Sequence, residues 1–248
     1  MVFPIGDDNT GRVRTPYVTY LLIAANVFVF VFLQGLGTNE RFTYAFSTVP
    51  EEIRTGVDIA RSVPIQVGDE RGTIPLQPTP GSVYMTILVS MFMHGSLMHL
   101  LGNMLFLWIF GDNVEDDLSH GRYLGFYLGT GIIASLAHVF STFTLGDNPF
   151  IPSLGASGAI SGVMGGYLVL HPHRRVRVIM LRMLTEVPGY VAVGLWFVFQ
   201  LISAFGVIGQ GAQSGGGVAF MAHIGGFIAG VVLVKIFAPA KPAYRRAF

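Results

Sequence analysis

The chain has 248 residues, 52% of them hydrophobic and only 12% charged, with a formal net charge of +1 and no cysteine. A soluble domain carries about 25% charged residues, so this composition, with a mean hydropathy of +0.59, argues against a soluble protein. The charge balance gives no footing for nucleic acid, which asks for a basic face, and the missing cysteines exclude disulfides, thiolate metal sites and a thiol nucleophile.

Five windows contain no Asp, Glu, Lys or Arg: 15–39, 72–111, 123–146, 148–173 and 187–234. A soluble element keeps a wet, charged face, whereas exclusion of charge in blocks is expected when the solvent is lipid. In chain order, residues 1–16 read as a cytoplasmic N-terminal segment. The apolar run that follows is too long for a signal peptide and lacks a small-residue cleavage site, so it reads as a retained span, about Tyr17 to Leu36. A long extracytoplasmic loop, about 37–82, holds a candidate short helix at Glu51 to Gly56. Span two is expected from Val83 to Phe110, span three from Leu124 to Phe143, and a short span four from Ser157 to Leu170. The last window is too long for one helix. It is split by Gly206, Gly209, Gly211, Gly215, Gly216 and Gly217 into span five (189–205) and span six (218–235). Residues 238–248 form a cytoplasmic tail. Placing the N-terminus inside puts eleven Lys or Arg in inner segments and four in the long first loop, which supports both termini in the cytoplasm. The expected fold is thus an all-α, multi-pass protein of the cell (plasma) membrane, a single domain over 17–237.

Polar side chains inside a bilayer are costly and mark candidate sites. Ser157, Ser161 and Gly165 recur every four residues, as do Gly158, Gly162 and Gly166. Such ridges serve close helix packing. Ser157 also opens a helix whose 17 residues to Arg174 span only about 25 Å, against a hydrocarbon core of about 30 Å. A helix that begins below the surface presents free N–H groups and a partial positive charge to an anion. His223 stands beside a small ridge of Ala222, Gly226 and Gly230, suited to approach span four. A structural histidine and a catalytic base are both open readings of it. His99 and Asn103 share a face of span two, with His94 five residues earlier. No carboxylate accompanies these histidines in any span, so no metal site and no cofactor is expected.

His94 and His99 before Asn103, then Gly155-Ala156-Ser157-Gly158, then Ala222-His223 followed by Gly226, resemble the motifs of the rhomboid family of intramembrane serine proteases. The likeness covers about residues 84–235, and Glu115 sits where that family keeps an acidic residue after its second span. The resemblance implies the minimal six-transmembrane-helix bundle with a short central fourth helix. It implies Ser157 as nucleophile and His223 as general base. His99, Asn103 and the Ser157 backbone N–H would serve as oxyanion donors, Gly155 and Gly158 would keep the backbone close to the substrate, and His94 would be structural. It implies substrates that are single-span membrane proteins within the lipid bilayer. The chain departs from the family at Met85 and Thr86, where a Trp-Arg pair is frequent. It departs again at Ser161, where an aromatic residue often packs on the catalytic histidine. Because no acid lies in a span, a Ser-His dyad is expected, oriented by packing of spans four and six, with the glycine-rich segment 206–217 as a cover. The alternatives are a proteolytically inactive rhomboid-like protein that binds membrane helices, and a small transporter, which would need ionisable groups along a path or an inverted repeat.

Overall fold

The computed structural model describes residues 2–67, 70–180, 183–209 and 219–238. The chain is mostly helical. Among the described residues, three helices are long and apolar enough to cross a membrane: Leu97–Leu118, His120–Leu145 and Phe220–Phe237. Tyr17–Leu33, Val83–Phe92, Ser157–Leu170 and Gly189–Ala204 are apolar but shorter.

The first helix, α1 (Tyr17–Phe28), ends in a π-helical turn at Val29–Leu33. No side chain of its own caps its start. Its free N–H groups are met instead by Glu115, which accepts from the Val18 and Thr19 amides at 2.9 and 2.8 Å and from the Thr19 hydroxyl at 2.7 Å. A carboxylate there also complements the positive end of the helix dipole. The loop beyond α1 carries α2 (Glu40–Phe46) and α3 (Pro50–Thr55). Proline at the first position and Gly56 with φ +70° at the end of α3 follow the usual start and stop chemistry, so the short helix expected here is present. A hairpin of β2 (Ser62–Val67) and β3 (Glu70–Pro75) follows. Val49, Val63, Ile74 and Leu76 give this loop a small core of its own.

The expected single helix from Val83 to Phe110 is corrected. A helical stretch at Val83–Phe92, containing α4 (Thr86–Val89), stops at Met93, whose backbone is extended. The chain resumes as α5 (Leu97–Leu118), with Ser96 accepting the His99 N–H at 3.1 Å as its N-cap. The break is held by Gln34, fully buried, which accepts the His94 N–H at 2.8 Å and donates to the His94 carbonyl at 3.1 Å. Then come α6 (His120–Leu145) and α7 (Ser157–Leu170), the strands β4 (Arg175–Met180) and β5 (Met183–Pro188), and the helices α8 (Gly189–Gly209) and α9 (Phe220–Phe237).

The strands correct the all-α expectation. Arg175-Val176-Arg177-Val178 alternates with period two, which is a strand pattern; both valines are fully buried and both arginines exposed. β4 pairs antiparallel with β5 and with an N-terminal strand, β1 (Val2–Asp7), giving the order β1-β4-β5. This sheet packs on α8, and β1 also lies along α5.

The centre of the bundle is α7, buried over most of its length and packed on α5, α6, α8 and α9. The small ridges meet as expected. A Cβ on Gly226 would collide with the carbonyl oxygen of Gly158, and one on Gly230 with that of Gly162. Without a hydrophobic drive between helices in lipid, such close van der Waals contact is what holds them together.

Candidate active site

α7 starts where the preceding chain is tied down. Thr48 and Ser153 bridge through their backbones, and the Gly155 N–H donates to the Ser90 carbonyl at 2.9 Å. Gly155 has φ +129°, open to glycine but not to other residues, and a Cβ there would stand 2.9 Å from Cε1 of His99. This turn delivers Ser157 to the first position of a helix that no side chain caps. The N–H groups of such a first turn have no intrahelical acceptor.

Across the glycine contact, α9 places His223 one turn before Gly226. The Ser157 hydroxyl and His223 Nε2 are 2.8 Å apart, within the reach that nucleophile activation requires. The other ring nitrogen, Nδ1, lies 2.8 Å from Oε1 of Gln200 on α8. The rings of Trp196 and Phe220 flank His223, with centroids 6.1 and 6.4 Å away. Ser161 instead turns back on its own helix, donating to the Ser157 carbonyl at 2.6 Å.

His99 lies against Gly155 from the α5 side. Asn103, one turn further along α5, is buried, and its Nδ2 has no hydrogen-bond partner among the described residues. His94 is wholly buried and meets His99 edge to face at 5.1 Å. Gly158 is pressed between Ala134 of α6 and Ala222 of α9. The structure thus brings Ser157, His223, Gly155 and His99 to one place at the start of α7.

To the packing of α7 and α9 expected to orient His223, the structure adds a bond from a side chain of α8. Gln200 stands inside the charge-free window 187–234. The cost of a polar group in lipid, which pointed to Ser157 and His223, applies equally to it. Among the described residues no group of three or more His, Cys, Asp or Glu is placed to hold a metal. Of the expected cover, residues 206–209 continue α8 and 210–217 lie outside the described residues.

A family model described as "Rhomboid domain" matches residues 81–240. The mitochondrial Rhomboid protein 1 of Saccharomyces cerevisiae is 33% identical over 147 residues, covering 59% of this chain and 40% of its own. The human mitochondrial Presenilin-associated rhomboid-like protein is 34% identical over 103 residues, 42% of this chain and 27% of its own. Rhomboid protease GluP of Bacillus subtilis is 31% identical over 156 residues, 62% of this chain and 24% of its own. The chain therefore spans less than half the length of each of these relatives. Two are mitochondrial and one bacterial, so the likeness speaks for a membrane protein without indicating the plasma membrane.

Proposed function

The chain belongs to the rhomboid family, and from that premise we propose that it is a serine endopeptidase cleaving peptide bonds in or near transmembrane segments of membrane proteins. The observation that carries this reading is the 2.8 Å contact between the Ser157 hydroxyl and His223 Nε2. A serine hydroxyl is a weak nucleophile until a base takes its proton, and histidine is suited to that near neutral pH. Ser157 attacks the scissile carbonyl and His223 accepts the proton. The oxyanion that forms sits beside the N-terminus of α7, where the Ser157 N–H, His99 and Asn103 are the donors. His94 backs His99, and Gly155 and Gly158 let the backbone approach the substrate. Water then resolves the acyl-enzyme.

On this reading the seven apolar helical stretches form six spans, the broken Val83–Phe92 and α5 counting as one. Both termini face the cytoplasm of a cell membrane, and the substrates are single-span proteins that reach Ser157 from the bilayer.

The test is cleavage of a single-span reporter by the purified chain in liposomes. The expected result is turnover by the parent and background rates for Ser157→Ala; equal cutting by Ser157→Ala sinks the proposal. A serine-directed fluorophosphonate separates the other family reading, an inactive protein that binds membrane helices, because such a protein does not label.

A further inference from the structure

We propose that Gln200 is the positioning residue of this site, holding His223 in the tautomer and ring orientation that accept the Ser157 proton. This rests on the protease reading and deepens it.

Both ring nitrogens of His223 are engaged, Nε2 with Ser157 and Nδ1 with Gln200 Oε1, each at 2.8 Å. For the hydroxyl to donate to Nε2, that nitrogen must offer its lone pair, and the ring proton then sits on Nδ1. A buried N–H needs an acceptor, and the amide oxygen of Gln200 is that acceptor. It does the orienting work of a triad carboxylate without placing a charge inside the membrane, where an ionised acid is costly. The titratable groups facing His223 from other elements are His99 of α5 and His138 of α6. Among the described residues, no carboxylate bonds its ring.

The amide is itself held in place. Gln200 is 6% exposed, one turn after Trp196 and one turn before the buried Ala204. Trp196 lies against both His223 and Phe227, and Phe197 stacks on Phe227 at 4.2 Å. This aromatic contact fixes the height of α8 on α9, and so the height of Gln200 beside His223.

As the Ser157 oxygen bonds the substrate carbonyl carbon, its proton moves to Nε2. The imidazolium keeps its Nδ1–H on Gln200, and the Nε2 proton then passes to the leaving amine as the C–N bond breaks. Gln200 gains and loses no proton. What it supplies is orientation and a dipole facing the imidazolium.

The experiment uses the full chain in liposomes with a single-span reporter, reading kcat, KM, the pH profile and the rate of fluorophosphonate labelling. Gln200→Leu removes the acceptor while keeping bulk. It is expected to lower kcat and labelling by roughly 10- to 100-fold with little change in KM, since the loss falls on the transition state. Gln200→Glu restores an oxygen acceptor, and is expected to recover activity and move the acid limb of the profile to higher pH. A structural filler would do neither. Folded Gln200→Leu with parental kcat overturns the inference, and so does Gln200→Glu with an unmoved acid limb. The second result decides alone if the leucine variant does not fold. A parent that neither labels nor cleaves overturns the protease reading, and this inference with it.

Discussion

Gly155 shows how tightly single residues define the site. Its φ of +129° and the 2.9 Å that a Cβ would leave to the His99 ring make it the turn that brings the α5 face up to Ser157. On the protease reading, the donors on that face act where charge develops, so their loss should appear in kcat rather than KM. His99→Ala and Asn103→Ala are each expected to lower kcat by about 100-fold, the range of a lost oxyanion donor. Steady-state kinetics on a reconstituted single-span reporter checks this; a change confined to KM would assign these residues to substrate binding instead. Ser157, His223, His99 and Asn103 were legible in the sequence because each is a polar group in a window without charge. Gln200 and Gln34 carry the same signal, in 187–234 and 15–39. What the sequence lacks is any spacing that ties residue 200 to 223 or 34 to 94. Their roles exist only once α8 meets α9 and α1 meets the break before α5.

At the scale of elements, the pairing of α7 with α9 was legible as well, because small residues every four positions on two helices specify backbone contact. Less legible was the broken helix before α5, where one glycine, Gly95, precedes the N-cap Ser96 and which the Gln34 amide stabilises from sixty residues away. The strand alternation at 175–178 was present in the sequence but overshadowed by the topological meaning of its arginines, and the pairing of β1 with β4 is a contact between distant segments. The α7–α9 contact carries a prediction with its own control. Gly230→Ala drives a Cβ into the Gly162 carbonyl, a backbone atom that cannot rotate away. Overpacking of this kind costs about 1–3 kcal/mol, and separating the helices also draws His223 from Ser157. Gly194→Ala on α8 meets nothing within 4 Å and removes the conformational freedom of a mid-helix glycine, so it should be neutral or slightly stabilising. Thermal unfolding in detergent, read with reporter cleavage, should rank Gly194→Ala at or above the parent and Gly230→Ala below it in both. The reverse order would falsify backbone contact as what joins these helices.

Across the whole molecule, the N-terminal segment fastens the ends of α5 and α7 that lie away from Ser157. The Asp7 carboxylate accepts from the Tyr167 hydroxyl at 2.9 Å and from Asn113 at 2.6 Å. Arg12 pairs with Asp112, and Asp116 accepts the Arg14 N–H at 2.7 Å. Asp7 is buried, and burial, reinforced by the neighbouring Asp112 charge, pushes its carboxyl up to about 7 against the lowering effect of Tyr167, Arg174 and Asn113. Glu52 of α3 is raised to about 7 as well, by burial and then by Asp58, against its bond from the Ile59 N–H. A carboxyl whose value is higher folded than unfolded binds its proton more tightly in the native state. Stability therefore falls as pH rises between the unfolded value near 4 and the folded value near 7. The penalty is absent below that window and complete above it. For Asp7 the full effect is on the order of 2–4 kcal/mol. The unfolding midpoint of the parent in detergent should accordingly drop between about pH 5 and pH 7. Asp7→Asn removes the titration while keeping an oxygen for Tyr167, so its curve should be flatter, and adding Glu52→Gln should flatten it further. If the parent and Asp7→Asn curves run parallel across that range, the carboxyl is already ionised at pH 5, and the junction that ties β1 to α5 and α7 is an ordinary ion network around Arg174.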